Sequence, residues 1–292
     1  MIQYNPKDWF SFIFRFHKSD TVRALFPMLV VIGLYSAGVA YFERTILHLP
    51  DTSYVKNITL MHGLLGFVIS LLLVFRTNTA YDRWWEGRKL WGSLVNNSRN
   101  LALKLAATLP KSDAFNRTFF RNIIPQYAMA LRNHLRAEST RLELDDSIAT
   151  EIGHIDENKH IPNQLAAAIY KKINTLYEAG KIKGDQLIVL NNEVSSFTDI
   201  CGACERIKNT PIPFSYSAFL KKFIFFYVMT LPWGYVFSLG YWVIPVVVFI
   251  FYVLASLELV AEEIEDPFGN DVNDLPMDKI CAGIQKHVGE IL

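Results

Sequence analysis

The chain has 292 residues, 51% of them hydrophobic and 14% aromatic, with charged residues reduced to 20% and a formal net charge of +1. It is richer in apolar residues and poorer in charge than soluble domains usually are, and it has no surplus of Lys and Arg for neutralising phosphates. Nucleic acid is therefore not an expected partner, and three cysteines (Cys201, Cys204, Cys281) form no disulfide framework, as in a reducing compartment.

Residues 1–23 mix Trp9, Phe10, Phe12, Ile13, Phe14 and Phe16 with Lys7, Arg15 and Lys18, an amphipathic arm. It suits a membrane–water interface and equally a core-packed N-terminal arm. It lacks the basic start, apolar centre and small-residue cleavage site of a secretory signal. Ala24 to Phe42 then runs 19 residues without charge, close to the ~20 needed to cross a bilayer core as a helix. Gly33, Ser36, Ala37, Gly38 and Ala40 supply the small residues that let membrane helices approach closely. A second apolar stretch starts at Asn57 and turns polar from Arg76 while keeping its helical register, so residues 24–80 hold two predicted spans.

From 81 to 217 charges become frequent. Three segments (RTFFRNIIPQYAMALRNHLRAE, NQLAAAIYKKINTLYEAG, DQLIVLNNEVSSFTDICGACERI) carry apolar residues at three- and four-residue spacing, the pattern of soluble amphipathic helices. The acidic stretch 141–160 is predicted to be a loop with a short helix. Two prolines in TPIPFSYSAF end the helical region. Phe223 to Leu257 then has 35 residues without charge, too long for one straight span, so 218–261 is predicted to hold two spans joined by a tight turn near Pro232, Gly234, Gly240 and Pro245. Residues 262–292 form an acidic C-terminal segment. Lys and Arg flank the spans on the side of the termini and the middle region, which predicts a multi-pass protein of the cell membrane, a bacterial inner membrane, with both termini cytoplasmic.

Phe67, Leu71 and Phe75 recur every four residues, and Asn78 and Asp82 continue their stripe. Periodicity alone fits a lipid- or helix-facing stripe better than a pore. His62, the one histidine in a span, is expected at the interface. Spans free of Asp, Glu, Lys and Arg argue against a coupled pump. Cys201-Gly-Ala-Cys204 lacks the second ligand pair of a zinc site and reads as two thiols packed in a helix. The run ELVAEEIEDPFGNDVND offers carboxylates and a turn suited to a hard cation, or simply a solvated acidic face. No nucleophile elbow, phosphate-binding loop, dinucleotide fingerprint or zinc-protease motif is present, so the chain is not predicted to be an enzyme.

The segments FRTNTAYDRWWEGRKLWG, CGACERIKNTPIPFSY and ELVAEEIEDPFGNDVNDLP resemble the bestrophin family, most closely its prokaryotic branch, in the family's order and over nearly the whole chain. The resemblance implies an all-α integral membrane fold with four transmembrane helices and a helical cytosolic region, assembled as a homopentamer around one central pore. It implies a pore neck at Phe67, Leu71 and Phe75, with Asn78 and Asp82 in the wet region beneath. The cytosolic aperture maps to Gln186, beside Asp185, where the family has an apolar residue. The acids of the eukaryotic calcium clasp map to Asp271 and Asp274, but Val272 and Asn273 replace the acidic residues between them, so weak or absent calcium dependence is expected and no cofactor is required. The expected function is a passive channel for small monovalent ions in lipid, chloride by family precedent, with Asp185 leaving cation selectivity open. The alternative is a membrane-anchored scaffold or signalling protein whose helical cytosolic domain binds a partner.

Overall fold

A computed structural model describes residues 21–47, 58–138 and 155–292. The N-terminal arm before Thr21 and most of the 141–160 loop lie outside the described residues. Among those described, every regular element is helical: α1 (Thr21–Tyr41, continued by a π-helical turn Phe42–Leu47), α2 (Ile58–Thr108), α3 (Ala114–Arg136), α4 (Ile161–Glu178), α5 (Gly184–Asn209), α6 (Phe214–Leu239), α7 (Val243–Glu265) and α8 (Met277–Ile291). They fall into two compact units. One holds the described residues up to Arg83 with Pro211–Glu265, and the other holds Trp84–Thr210 with Asp266–Leu292.

In the first unit the apolar helices pack through Ile32, Ile69, Leu73, Leu220, Val228, Leu231, Val247 and Phe251. Their other faces are apolar too, with Phe26, Leu34, Leu64, Phe226, Trp242 and Phe249 exposed. A helix hydrophobic all round is what a lipid solvent selects. Segments Thr21–Leu47, Ile58–Thr108 and Phe214–Glu265 are long and apolar enough to cross a membrane. The last is two helices, α6 and α7, joined by the single 3-10 turn Gly240–Trp242. Pro232, one of the expected bends, sits inside α6 without ending it. The break falls at Gly240, whose φ of +56° a side chain rarely adopts. Hydroxyl and ring groups tie the helices across the unit: Tyr35 donates to the Met229 carbonyl at 2.9 Å, and the Trp233 indole donates to the Tyr35 hydroxyl at 2.9 Å.

The second unit is an ordinary helical core. Trp91, Leu94, Leu101 and Leu105 of α2, Phe119, Phe120 and Tyr127 of α3, Leu165 and Ile169 of α4, Phe197 of α5 and Ile284 of α8 are all buried together. Tyr127 donates to the Phe197 carbonyl at 2.8 Å. Caps set the helix ends: Asp113 accepts from the Asn116 amide at the start of α3, and the His160 ring Nδ1 accepts from the Asn163 amide at 3.1 Å at the start of α4. Cys201 and Cys204 are buried free thiols of α5. Burial pushes the Cys201 thiol up to about 12, with the Glu205 carboxylate adding to the shift, so both are core residues rather than a redox pair.

Helix α2 belongs to both units without a break. Its 51 residues span ~76 Å at 1.5 Å per residue. The compositional change near residue 80 is therefore not an element boundary. Helix α8, on a stretch read only as polar and acidic, packs its Cys281, Ile284 and Val288 into the core.

Candidate pore-lining stripe and acidic turn

The predicted neck residues share an open face of α2. Phe67, Leu71 and Phe75 are 71%, 45% and 56% exposed, while Ile69, Leu73, Arg76 and Ala80 are buried behind them. The open surface is wider than the stripe, since Leu60, Leu64, Val68 and Val74 are exposed as well. Polar residues in this part of the helix divide into two groups. Ser70, Thr77 and Thr79 return their hydroxyls to the carbonyls of Gly66, Leu73 and Phe75 at 2.7, 2.8 and 2.9 Å, so they ask nothing of their surroundings. Asn78 and Asp82 are exposed and make no hydrogen bond or ion pair with any described residue. A carboxylate and an amide left in that state require water or a neighbouring chain.

The buried face of α2 is held by charge. The Arg76 side chain is 1% exposed, with Nη2 2.7 Å from Glu265 Oε2 and Nε 3.4 Å from Glu258 Oε2. Glu265 in turn accepts the Ile212 amide on Oε1 at 2.6 Å, and its carbonyl accepts Arg83 Nε at 3.0 Å. This network escaped the sequence reading, because Arg76 and its partner Glu258 stand 182 residues apart. The available signal was an arginine entering an apolar helix, together with glutamates seven apart at positions 258 and 265. His62 is buried between α2 and α6, its Nε2 2.9 Å from the Thr230 hydroxyl and its ring edge-on to Tyr227.

Asp185 and Gln186 lie in the first turn of α5. Asp185 is exposed, whereas Gln186 is half-buried and turns its Oε1 back to accept the Lys183 amide at 2.9 Å. One turn further along, Ile188 and Val189 are the exposed apolar side chains of that helix.

The two candidate acids of the turn after α7 have unlike surroundings. Asp271 is exposed; Asp274 is buried, with Oδ2 accepting the Asp271 amide at 2.6 Å and Oδ1 without a hydrogen-bond partner among the described residues. The turn wraps this carboxylate closely, since a Cβ on Gly269 would lie 2.7 Å from Oδ2. Burial raises the Asp274 carboxyl to about 6, opposed by the Asp271 amide and reinforced by the Asp271 and Asp266 carboxylates. An orphaned buried oxygen beside a second carboxylate fits a cation in part. The Gly269 carbonyl of the same turn accepts Arg136 Nε at 3.3 Å. Trp84 fixes the turn by donating to the Asn273 carbonyl at 3.0 Å, and Phe268 is fully buried.

Regular structure that is helical throughout the described residues, with several apolar helices long enough to cross a membrane, defines an integral membrane protein. Residues 1–290 match the family model described as Bacterial/Fungal Bestrophin protein. A voltage-dependent anion channel-forming protein of Nostoc sp. is 35% identical over 98% of this chain and 92% of its own length. The voltage-dependent anion channel-forming protein YneE of Escherichia coli K12 is 32% identical over 98% and 92%. A variant of a bacterial bestrophin homologue from Klebsiella pneumoniae superposes with a TM-score of 0.79 at 28% identity, over 92% of this chain and 98% of that one. The chain belongs to the bestrophin family, and it is not an enzyme.

Two consequences are measurable. Arg76→Ala strands the Glu258 and Glu265 carboxylates and should destabilise the protein by about 3–5 kcal/mol, read as a fall in thermal midpoint in detergent. An unchanged midpoint would dismiss the network as structural support. For Asp274, the folded-state value lies above the unfolded one, so its contribution to stability is present at low pH and lost as pH rises through about 6. Asp274→Asn should therefore melt above the parent protein at pH 8, with the gap closing as the pH falls below about 6. A gap independent of pH is the contrary outcome.

Proposed function

We propose that the chain forms a passive anion channel, assembled as a homopentamer around one pore, with chloride the expected permeant ion. Phe67, Leu71 and Phe75 form its neck, three rings of apolar side chains that strip water from the ion and close the path by dewetting. Asn78 and Asp82 line the wet region below the neck, and Gln186 with Asp185 borders the second constriction. Each chain crosses the inner membrane four times, by α1, by the first part of α2, and by α6 and α7, with both termini in the cytoplasm.

The observation that carries this reading is the partnerless, exposed pair Asn78 and Asp82 on the same stripe as the neck residues. A helix that only anchors a scaffold has no need to leave a carboxylate on an otherwise apolar open face. The printed names of the Nostoc and Escherichia coli relatives, as anion channel-forming proteins, support the choice of ion. Asp82 and Asp185 pull the other way, because rings of carboxylates favour cations. Cation permeation is thus the competing outcome of the same experiment.

Protein reconstituted in liposomes with asymmetric NaCl should give a reversal potential close to that of chloride, and one near the sodium value would assign a cation channel. Replacing Phe67, Leu71 and Phe75 together by Ala should raise the flux several-fold; an unaltered flux removes the neck from this stripe. A protein that stays monomeric in detergent and conducts nothing is a scaffold instead. Calcium titrated against flux should have little effect, given the Arg136 contact at the Gly269 carbonyl, and steep activation at micromolar calcium contradicts that expectation.

A further inference from the structure

Away from the neck and the acidic turn, three side chains of the second unit converge. His134 comes from the last turn of α3, His160 caps α4, and Glu205 lies on α5. His134 Nε2 and His160 Nε2 each stand 2.7 Å from the same oxygen, Glu205 Oε1, and the two rings are 4.3 Å apart. All three donor atoms fall within 4.8 Å of one another. We propose that His134, His160 and Glu205 bind a divalent transition-metal ion, with Zn2+ the best match.

Three features of the site support this. The donor set, two imidazoles and a carboxylate, suits a borderline ion such as Zn2+ rather than Ca2+ or Mg2+, which prefer oxygen. Zinc bonds of ~2.0–2.1 Å at tetrahedral angles place ligand atoms roughly 3.3 Å apart. The 2.7 Å contacts need widen by about half an ångström, and the widest donor pair, within 4.8 Å, needs to close toward the same spacing, both by side-chain rotation, to admit the ion. The side chains are 35%, 28% and 30% exposed, so an ion can enter and water can complete the fourth position.

Binding has one local cost. His160 Nδ1 accepts the Asn163 amide, which puts the ring proton on Nε2 in the metal-free protein. Ligation through Nε2 moves that proton to Nδ1 and gives up the cap. This makes His160→Asn an informative variant, because Asn is itself a good N-cap and removes the ligand while keeping the helix start.

The test uses full-length protein in detergent, stripped with a chelator and titrated with Zn2+ by calorimetry, and with Co2+ as a visible probe. Wild type should take up one tightly bound ion per chain. His134→Asn and His160→Asn should each weaken it by at least about tenfold, an effect of the size seen when metal-site residues are lost. A Cys201→Ser/Cys204→Ser variant and an Asp271→Asn/Asp274→Asn variant should bind as wild type does. Bound Co2+ should show visible d–d bands without a thiolate charge-transfer band. The proposal fails if Zn2+ does not bind, if both histidine variants, folded by circular dichroism, bind unchanged, or if Co2+ reports thiolate ligation. None of these outcomes depends on ion flux, so the site stands or falls separately from the channel.

Discussion

The arrangement of the first unit depends on one buried guanidinium. Arg76 is almost wholly removed from solvent, which is tolerable only with counter-charges in place. Glu258 and Glu265, two turns apart on α7, present their carboxylates to it from one side. Successive residues of a helix are rotated by about 100°, so fixing Arg76 toward α7 also fixes where Phe75, Leu71 and Phe67 can point. The open face of α2 follows from the closed one. Burying an ion pair adds little stability over an apolar packing of the same volume, but it discriminates sharply against any rotation or slip that would leave a charge unpaired. The proposed neck, made of side chains from one helix, would need that kind of register control more than extra stability.

The same network reaches the proline-rich linker before α6. The Glu265 carboxylate that meets Arg76 also accepts the Ile212 amide. Pro211 and Pro213 have no N–H of their own, so Ile212 offers the only backbone donor in that short stretch. One glutamate thus pairs with a buried arginine and accepts the orphan amide of a chain reversal. The sequence pattern T-P-I-P-F and the run ending E-D-P-F-G are far apart in the chain, yet they meet at this residue.

What could be read from sequence was what has a period or a breaker. Charge-free lengths marked the apolar helices, three- and four-residue spacing marked α3, α4 and α5, and the paired prolines marked the start of α6. The change of composition near residue 80 carries no helix breaker, since nothing in R-T-N-T-A-Y-D-R-W-W stops a helix and α2 runs straight through. Pro232 lies inside α6, since a helix among other helices absorbs a proline that would end an isolated one. Residue pairs brought together by tertiary structure alone stayed invisible. His134, His160 and Glu205 have no shared spacing, and Asp271 and Asp274 look equivalent until one is buried and the other is not.

The position of Asn78 and Asp82 can be argued from the accounting of polar groups around them. Between residues 70 and 82 the Ser70, Thr77 and Thr79 hydroxyls are satisfied by their own helix, and Arg76 is paired with two carboxylates on the buried side. On the open side the amide of Asn78 and the carboxylate of Asp82 are left without a partner among the described residues. If that side met lipid, the Asn78 amide at the end of the span would sit against hydrocarbon with nothing to pair with, an arrangement costing several kcal/mol by order of magnitude. If it met water held between copies of the chain, the same groups would cost almost nothing, and the three apolar side chains above them would be the part of the path that excludes water. On the proposed reading, the polar residues, more than the apolar ones, distinguish a pore-facing stripe from a lipid-facing one.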